Sequence, residues 1–150
     1  NFSTPTSAHT VGLLFEIGRL IMLECLPSGY PIATQELIGH ELHNREQKLY
    51  KFSYTEAGYY IAQKWNLPIS IIEPIRYQLQ PSSSSNAKEL SNILYLAILM
   101  TQAFMTNTPI DISKGDEKIL KFLKISPEDI PKLYDTITDA FQQKMRDNQV

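Results

Sequence analysis

Two imidazoles three residues apart, His40 and His43, are the pair best spaced to share a divalent ion, because residues at that separation are neighbours on a helix. The run His40-Glu41-Leu42-His43 is one residue short of H-E-x-x-H, the spacing that puts two zinc ligands and a general base on one helix face. It therefore reads as two solvated histidines on a polar face. His9 stands alone and could titrate near neutral pH. Cys25, the one thiol, has no intrachain partner and lies in an apolar run, which suits a small buried hydrophobe in a reducing compartment. Tyr54, Tyr59, Tyr60 and Tyr77 could line a pocket that stacks a nucleotide base, yet aromatics at helical spacing are read first as core. There is no phosphate-cradling Gly-rich loop, no G-x-S-x-G elbow and no Cys/His ligand spacing.

The elements that must carry these residues are helical. Ser53 with Glu56 three residues on forms a capping box, which starts a helix at Tyr54 with Ala57, Tyr60, Ile61 and Trp65 on its inward stripe. Gly58 weakens that helix by about 1 kcal/mol relative to Ala, so its use is to let another backbone come close. Asn66, Leu67 and Pro68 end the helix and open the next, over Ile69 to Leu79, where Pro74 predicts a kink near Ser70 or a restart. Trp65 is expected to anchor the two, so that Trp65→Ala would cost about 3 to 5 kcal/mol.

Upstream, after a polar lead-in with the Asn1-Phe2-Ser3 sequon, Ala8 to Leu26 reads as one helical segment buried on more than one side. A turn cluster at Pro27, Ser28, Gly29 and Pro31 follows, and Thr34 caps a helix to about Tyr50 with Leu37, Ile38, Leu42 and Leu49 inward. Downstream, Gln80 to Asn86 with its four serines reads as a flexible loop, and Asn86 caps a helix from Ala87 to Thr106. Its stripe is Leu90, Ile93, Leu94, Ala97, Ile98, Thr101, Phe104 and Met105. A loop with Lys114-Gly115 precedes a short helix over Glu117 to Leu123. The last helix starts at Ser126-Pro127-Glu128-Asp129 and buries Ile130, Leu133, Tyr134, Ile137, Phe141 and Met145. No stretch alternates apolar and polar residues over a useful length, so the fold class is all-α, a compact multi-helix bundle without a sheet.

The pattern E-x-x-L-Y-K-F-S-Y-x-E-A-G-x-x-x-A-x-K-W-N-L-P from Glu46 to Pro68 resembles the HDOD family, the HD-related output domains of bacterial signalling proteins. Gly12-Leu13-Leu14-Phe15-Glu16-Ile17-Gly18-Arg19-Leu20 is similar to the G-L-L-H-D-I-G-K-L segment of the wider HD phosphohydrolase superfamily. The resemblance implies further helices ahead of this motif, so the chain reads as a fragment or a shortened form, and self-association is the expected cover for its apolar surface. It also locates the superfamily's metal site. Phe15 and Glu16 stand where the His-Asp pair is implied, Tyr54 where a histidine is, and Gln78 and Leu79 where paired histidines are. A late aspartate falls at or near Ile98. Only Glu16 keeps ligand capacity, which is too little for a tightly held ion.

A chain of 150 residues, 43% hydrophobic with a net charge of −2, fits a single domain and has no basic field for nucleic acid. Its apolar runs are broken by Glu16, Arg19 and Glu24, or by Thr101 and Gln102, so no membrane span or signal peptide is read. The expectation is a cytoplasmic, non-catalytic output or scaffold domain, which needs no cofactor and acts through a protein partner. The alternative is a divergent metal-dependent phosphohydrolase or a nucleotide-binding module using Glu16 and the tyrosines.

Overall fold

A computed structural model describes residues 4–26, 30, 37–110 and 116–147. Among them every regular element is helical: α1 (Pro5–Leu14), α2 (Ile17–Cys25), α3 (Gly39–Tyr50), α4 (Tyr54–Lys64), α5 (Ile69–Arg76), α6 (Lys88–Thr106), α7 (Glu117–Leu123) and α8 (Ile130–Asp147). The all-α fold read from the sequence is the fold observed. The Asn1 sequon, the turn cluster from Pro27 to Pro31, the Thr34 cap and the Lys114-Gly115 loop lie outside the described residues. By its internal contacts the chain divides into two compact units, Asn1–Ile98 and Leu99–Val150.

The first unit has two apolar clusters. Val11, Ala62, Ile71, Ile72, Ile75, Leu90, Leu94 and Ile98 make one, with Phe15 and Tyr59 among the half-buried residues against it. Met22, Leu42, Tyr54, Ala57 and Leu79 make the other. The segment from Ala8 to Leu26 is not one helix. It breaks at Phe15–Glu16, where Glu16 leaves helical geometry at φ −98°, ψ 7° and its side chain turns to Arg19 instead of capping α2. Because of the break, Val11 faces one cluster and Met22 the other, while Leu13, Leu20 and Leu23 are left exposed. Cys25 is exposed rather than buried.

α4 starts at Tyr54 on the expected capping box, with the Glu56 carboxylate accepting from the Ser53 amide at 2.9 Å and from its hydroxyl at 3.0 Å. It stops with Asn66 in the left-handed region (φ 53°), and the Leu67 amide returns to the Ala62 carbonyl at 3.1 Å. Its inward face, however, is Tyr54, Thr55, Ala57, Gly58 and Ala62. The close approach at Gly58 selects the small residues and turns Tyr60 and Trp65 outward. Trp65 is 50% exposed and is no anchor. Leu49, expected inward on α3, is likewise exposed.

α5 runs unbroken through Pro74. The bond that proline forgoes would have gone to Ser70, an exposed residue in the first turn whose carbonyl water can serve. In α6 the expected stripe is only partly correct: Leu90, Leu94 and Ile98 are buried, but Ile93 is partly exposed and Ala97 exposed, and Tyr95 and Leu96 are buried in their place.

In the second unit, Met100 and Ala103 are buried while Thr101, Phe104 and Met105 are exposed. α7 has the limits its sequence implies. Ser126 precedes a short 3-10 turn, Pro127–Asp129, and makes no side-chain cap. On α8 only Ile130 is buried; Leu133 and Tyr134 are half-buried, whereas Ile137, Phe141 and Met145 are about half exposed, with Phe141 edge-on to Phe104 at 5.8 Å.

Candidate functional site

α2 and α4 touch backbone to backbone. A β-carbon built on Gly18 would lie 1.8 Å from the Tyr54 carbonyl oxygen and 2.6 Å from the Gly58 nitrogen. One built on Gly58 would meet the Ile75 side chain at 2.9 Å. Only glycine fits at position 18, and one backbone that comes close there is that of Gly58, the use Gly58 was expected to have. The crossing brings the start of α2 to the start of α4, and so gathers the positions where a metal site is implied.

At those positions the side chains are engaged with protein. Gln78, fully buried, donates its amide hydrogens to the Phe15 carbonyl at 2.9 Å and the Ile75 carbonyl at 2.8 Å. Its own carbonyl oxygen is buried with no hydrogen-bond partner. Glu16 accepts from the Arg19 guanidinium at 2.9 Å, the pairing that one turn of helix allows. Burial works against the charge on Arg19, yet the bond and charge of Glu16 leave its pKa raised. Tyr54 and Leu79 are buried in one apolar cluster, whereas Phe15 packs half-buried against the other, and Ile98 is core.

Glu46, which the sequence did not single out as chemical, lies under this group. Although it is 1% exposed, one of its oxygens accepts from the Tyr30 hydroxyl and the other from the Tyr54 amide at 2.8 Å. Burial raises its pKa and outweighs those bonds. Burial likewise pushes both phenols up, that of Tyr30 helped by its bond to Glu46 and that of Tyr54 by the charges of Glu16 and Glu46. The two tyrosines are therefore neutral at physiological pH.

A tightly held divalent ion needs several donors with free lone pairs, carboxylates or imidazoles chief among them. Here Glu16 is paired with a cation and both Glu46 oxygens are committed. Gln78 spends its hydrogens on two carbonyls and offers one neutral oxygen, and Tyr54 and Leu79 are packed in core. These residues do not fit the superfamily's metal. Among the described residues no three carboxylates, imidazoles or thiols are grouped to hold one. His9 and His40 are exposed, and His40 lies edge-on to Tyr95 at 6.5 Å. His43 departs from the solvated reading: it is half-buried, 3.5 Å from the Thr55 hydroxyl, and burial lowers its pKa.

A second carboxylate missed in the sequence organises the serine-rich turn. Glu73 on α5 accepts from the Ser84 hydroxyl (2.7 Å), the Ser85 amide (3.0 Å) and hydroxyl (3.3 Å), the Asn86 amide (2.8 Å) and side chain (2.6 Å), and the Ala87 amide (3.1 Å). Burial opposes the charge, but donation from Ser84, Asn86 and Ala87 wins and brings the pKa down to about 2. Glu73, from another helix, thus gathers the residues just ahead of α6, the Asn86 amide and side chain among them. The segment read as a flexible loop contains a 3-10 turn, Pro81–Ser83, and is tied down by this carboxylate. No local pattern marks such a tie, because donors and acceptor are more than ten residues apart.

No helix among the described residues is long and apolar enough to cross a membrane. No curated protein and no solved structure matches the chain. The HDOD domain family matches residues 1–81, just over half of it, and those residues include both motifs, the glycine crossing and all five positions of the degenerate site. The chain belongs to the HDOD family.

Proposed function

We propose that this chain is a non-catalytic output or scaffold domain of a bacterial signalling protein and acts by binding another protein. The observation that carries the reading is the hydrogen-bonded filling of the degenerate site: the Gln78 amide is spent on Phe15 and Ile75, and Glu16 on Arg19. The one oxygen left without a partner, that of Gln78, is neutral, and a single neutral donor beside a cation-paired Glu16 is too little to hold an ion that would activate water.

The test is metal content and response. Protein purified without chelator should contain no stoichiometric Mn, Fe or Zn, and saturating Mn or Mg should leave the melting temperature unchanged, since a ligand of the native state stabilises it by mass action. Phosphomonoesters and phosphodiesters should not be hydrolysed above background. A bound stoichiometric metal, or a rise of several degrees with added metal, overturns the proposal in favour of a divergent phosphohydrolase.

Self-association belongs to the same proposal. Leu13, Leu20 and Leu23 are each more than half exposed on α1 and α2, and apolar surface of this kind marks contact sites when it is contiguous. Light scattering that shows a monomer at every concentration would remove it.

A further inference from the structure

Four aromatic rings and one guanidinium form a continuous series on the first unit that the degenerate site does not use. Phe52 stacks on Tyr60 (6.0 Å between centroids, 21° between planes), Tyr60 meets Tyr59 edge-on at 5.4 Å, and the Arg76 guanidinium lies 4.0 Å over the Tyr59 ring and 5.4 Å from Tyr77. Tyr60 is 60% exposed, Arg76 is exposed, and the other three rings are half-buried. A guanidinium held over a ring by its charge keeps its N–H groups for a planar anion. Among the described residues Arg76 has no ion pair; Glu56, one turn before Tyr60, is committed to the capping box, and Glu73, one turn before Arg76, to the serine turn. Lys51 and Lys64, beside Phe52 and one turn after Tyr60, are exposed and add positive charge to a chain that is negative overall.

We infer that this aromatic and arginine ladder is the docking surface for the protein partner, and that the partner presents a carboxylate to Arg76 beside an apolar or proline side chain on Phe52 and Tyr60. The inference rests on the proposed output function and assigns it a surface. Aromatic residues and arginine are the types that concentrate binding energy at interfaces, and rings fixed by one another lose little freedom on binding.

The experiment is selection of a displayed random 12-residue peptide library on the full chain, followed by measurement of the selected peptides against Arg76→Gln and Tyr60→Ala, both exposed positions whose folding is checked by circular dichroism. The expected result is a consensus with Asp or Glu next to Pro or an aromatic residue, weakened at least tenfold by either substitution and also by salt. Peptides that bind both variants as well as wild type place the docking surface elsewhere and overturn this inference while leaving the output function standing. A selection that yields no binder, or binding of an oligothymidine in place of any acidic peptide, overturns it as well. Metal content, measured separately, decides the function itself.

Discussion

Replacing Glu73 with glutamine tests whether one buried carboxylate holds the serine turn and the start of α6. The wild-type group moves from a carboxyl's ordinary 4.5 to about 2 in the folded chain. A difference of that size corresponds to about 3 kcal/mol between charged and neutral forms, and some solvent access near the turn brings the working figure to about 2 to 3 kcal/mol. Because the folded pKa is depressed, this stability is fully present above about pH 4.5 and is lost as the pH falls toward 2. The glutamine variant keeps an acceptor but no charge, and places an NH2 group where Glu73 Oε1 accepts from Asn86 or where Oε2 accepts from four donors. It should be destabilised by about 2 to 3 kcal/mol at neutral pH. Urea unfolding followed by circular dichroism, across a pH series down to about 2.5, gives the stability of both proteins. Their difference should shrink steadily below about pH 4.5, whatever the other carboxylates do, because those are common to both. A difference that stays constant over that range would refute the account of Glu73 as the charged tie of this turn.

Gly18→Ala should cost at least about 3 kcal/mol or prevent folding, since its β-carbon overlaps backbone that cannot move aside, whereas Gly12→Ala, with nothing within 4 Å, should gain about 0.5 to 1 kcal/mol of helix stability. Denaturation midpoints for the pair give the answer, and equal effects would mean the α2 and α4 crossing is wrong. Trp65→Ala should cost only about 1 kcal/mol, not the 3 to 5 of a core aromatic, because the ring is half exposed; a loss of core size would restore it as an anchor. Gln78→Leu should cost about 2 kcal/mol or more in urea unfolding by stranding the Phe15 and Ile75 carbonyls, and a neutral result would show that they find other donors.

What could be read in the sequence was what local chemistry decides. Ser53 and Glu56 are three residues apart, so their box and the start of α4 were visible, and Gly58 in a helix signalled close contact before its partner was known. The limits of α7 were read correctly as well. What could not be read depends on which face the tertiary contact selects. The stripe of α4 was expected on Ala57, Tyr60, Ile61 and Trp65; Ala57 is buried, but the contact with Gly18 selects Gly58 and Ala62 beside it, and Tyr60 and Trp65 are exposed. The site was legible as positions and not as partners. Phe15, Glu16, Tyr54, Gln78 and Leu79 could be located, yet the bond from Gln78 to Phe15 spans 63 residues, and the role of Glu46 requires Tyr30 and Tyr54 at once.

The glycine crossing also bears on how such a frame can change chemistry over time. The spacing between the start of α2 and the start of α4 is fixed by main-chain atoms at Gly18, Tyr54 and Gly58, not by the side chains at positions 15, 16, 54, 78 or 79. Those five positions can exchange imidazoles for rings or amides one at a time while the helices stay in register, because none of them sets the distance they inherit. A frame built on this joint can change the residues at those positions without first losing its shape.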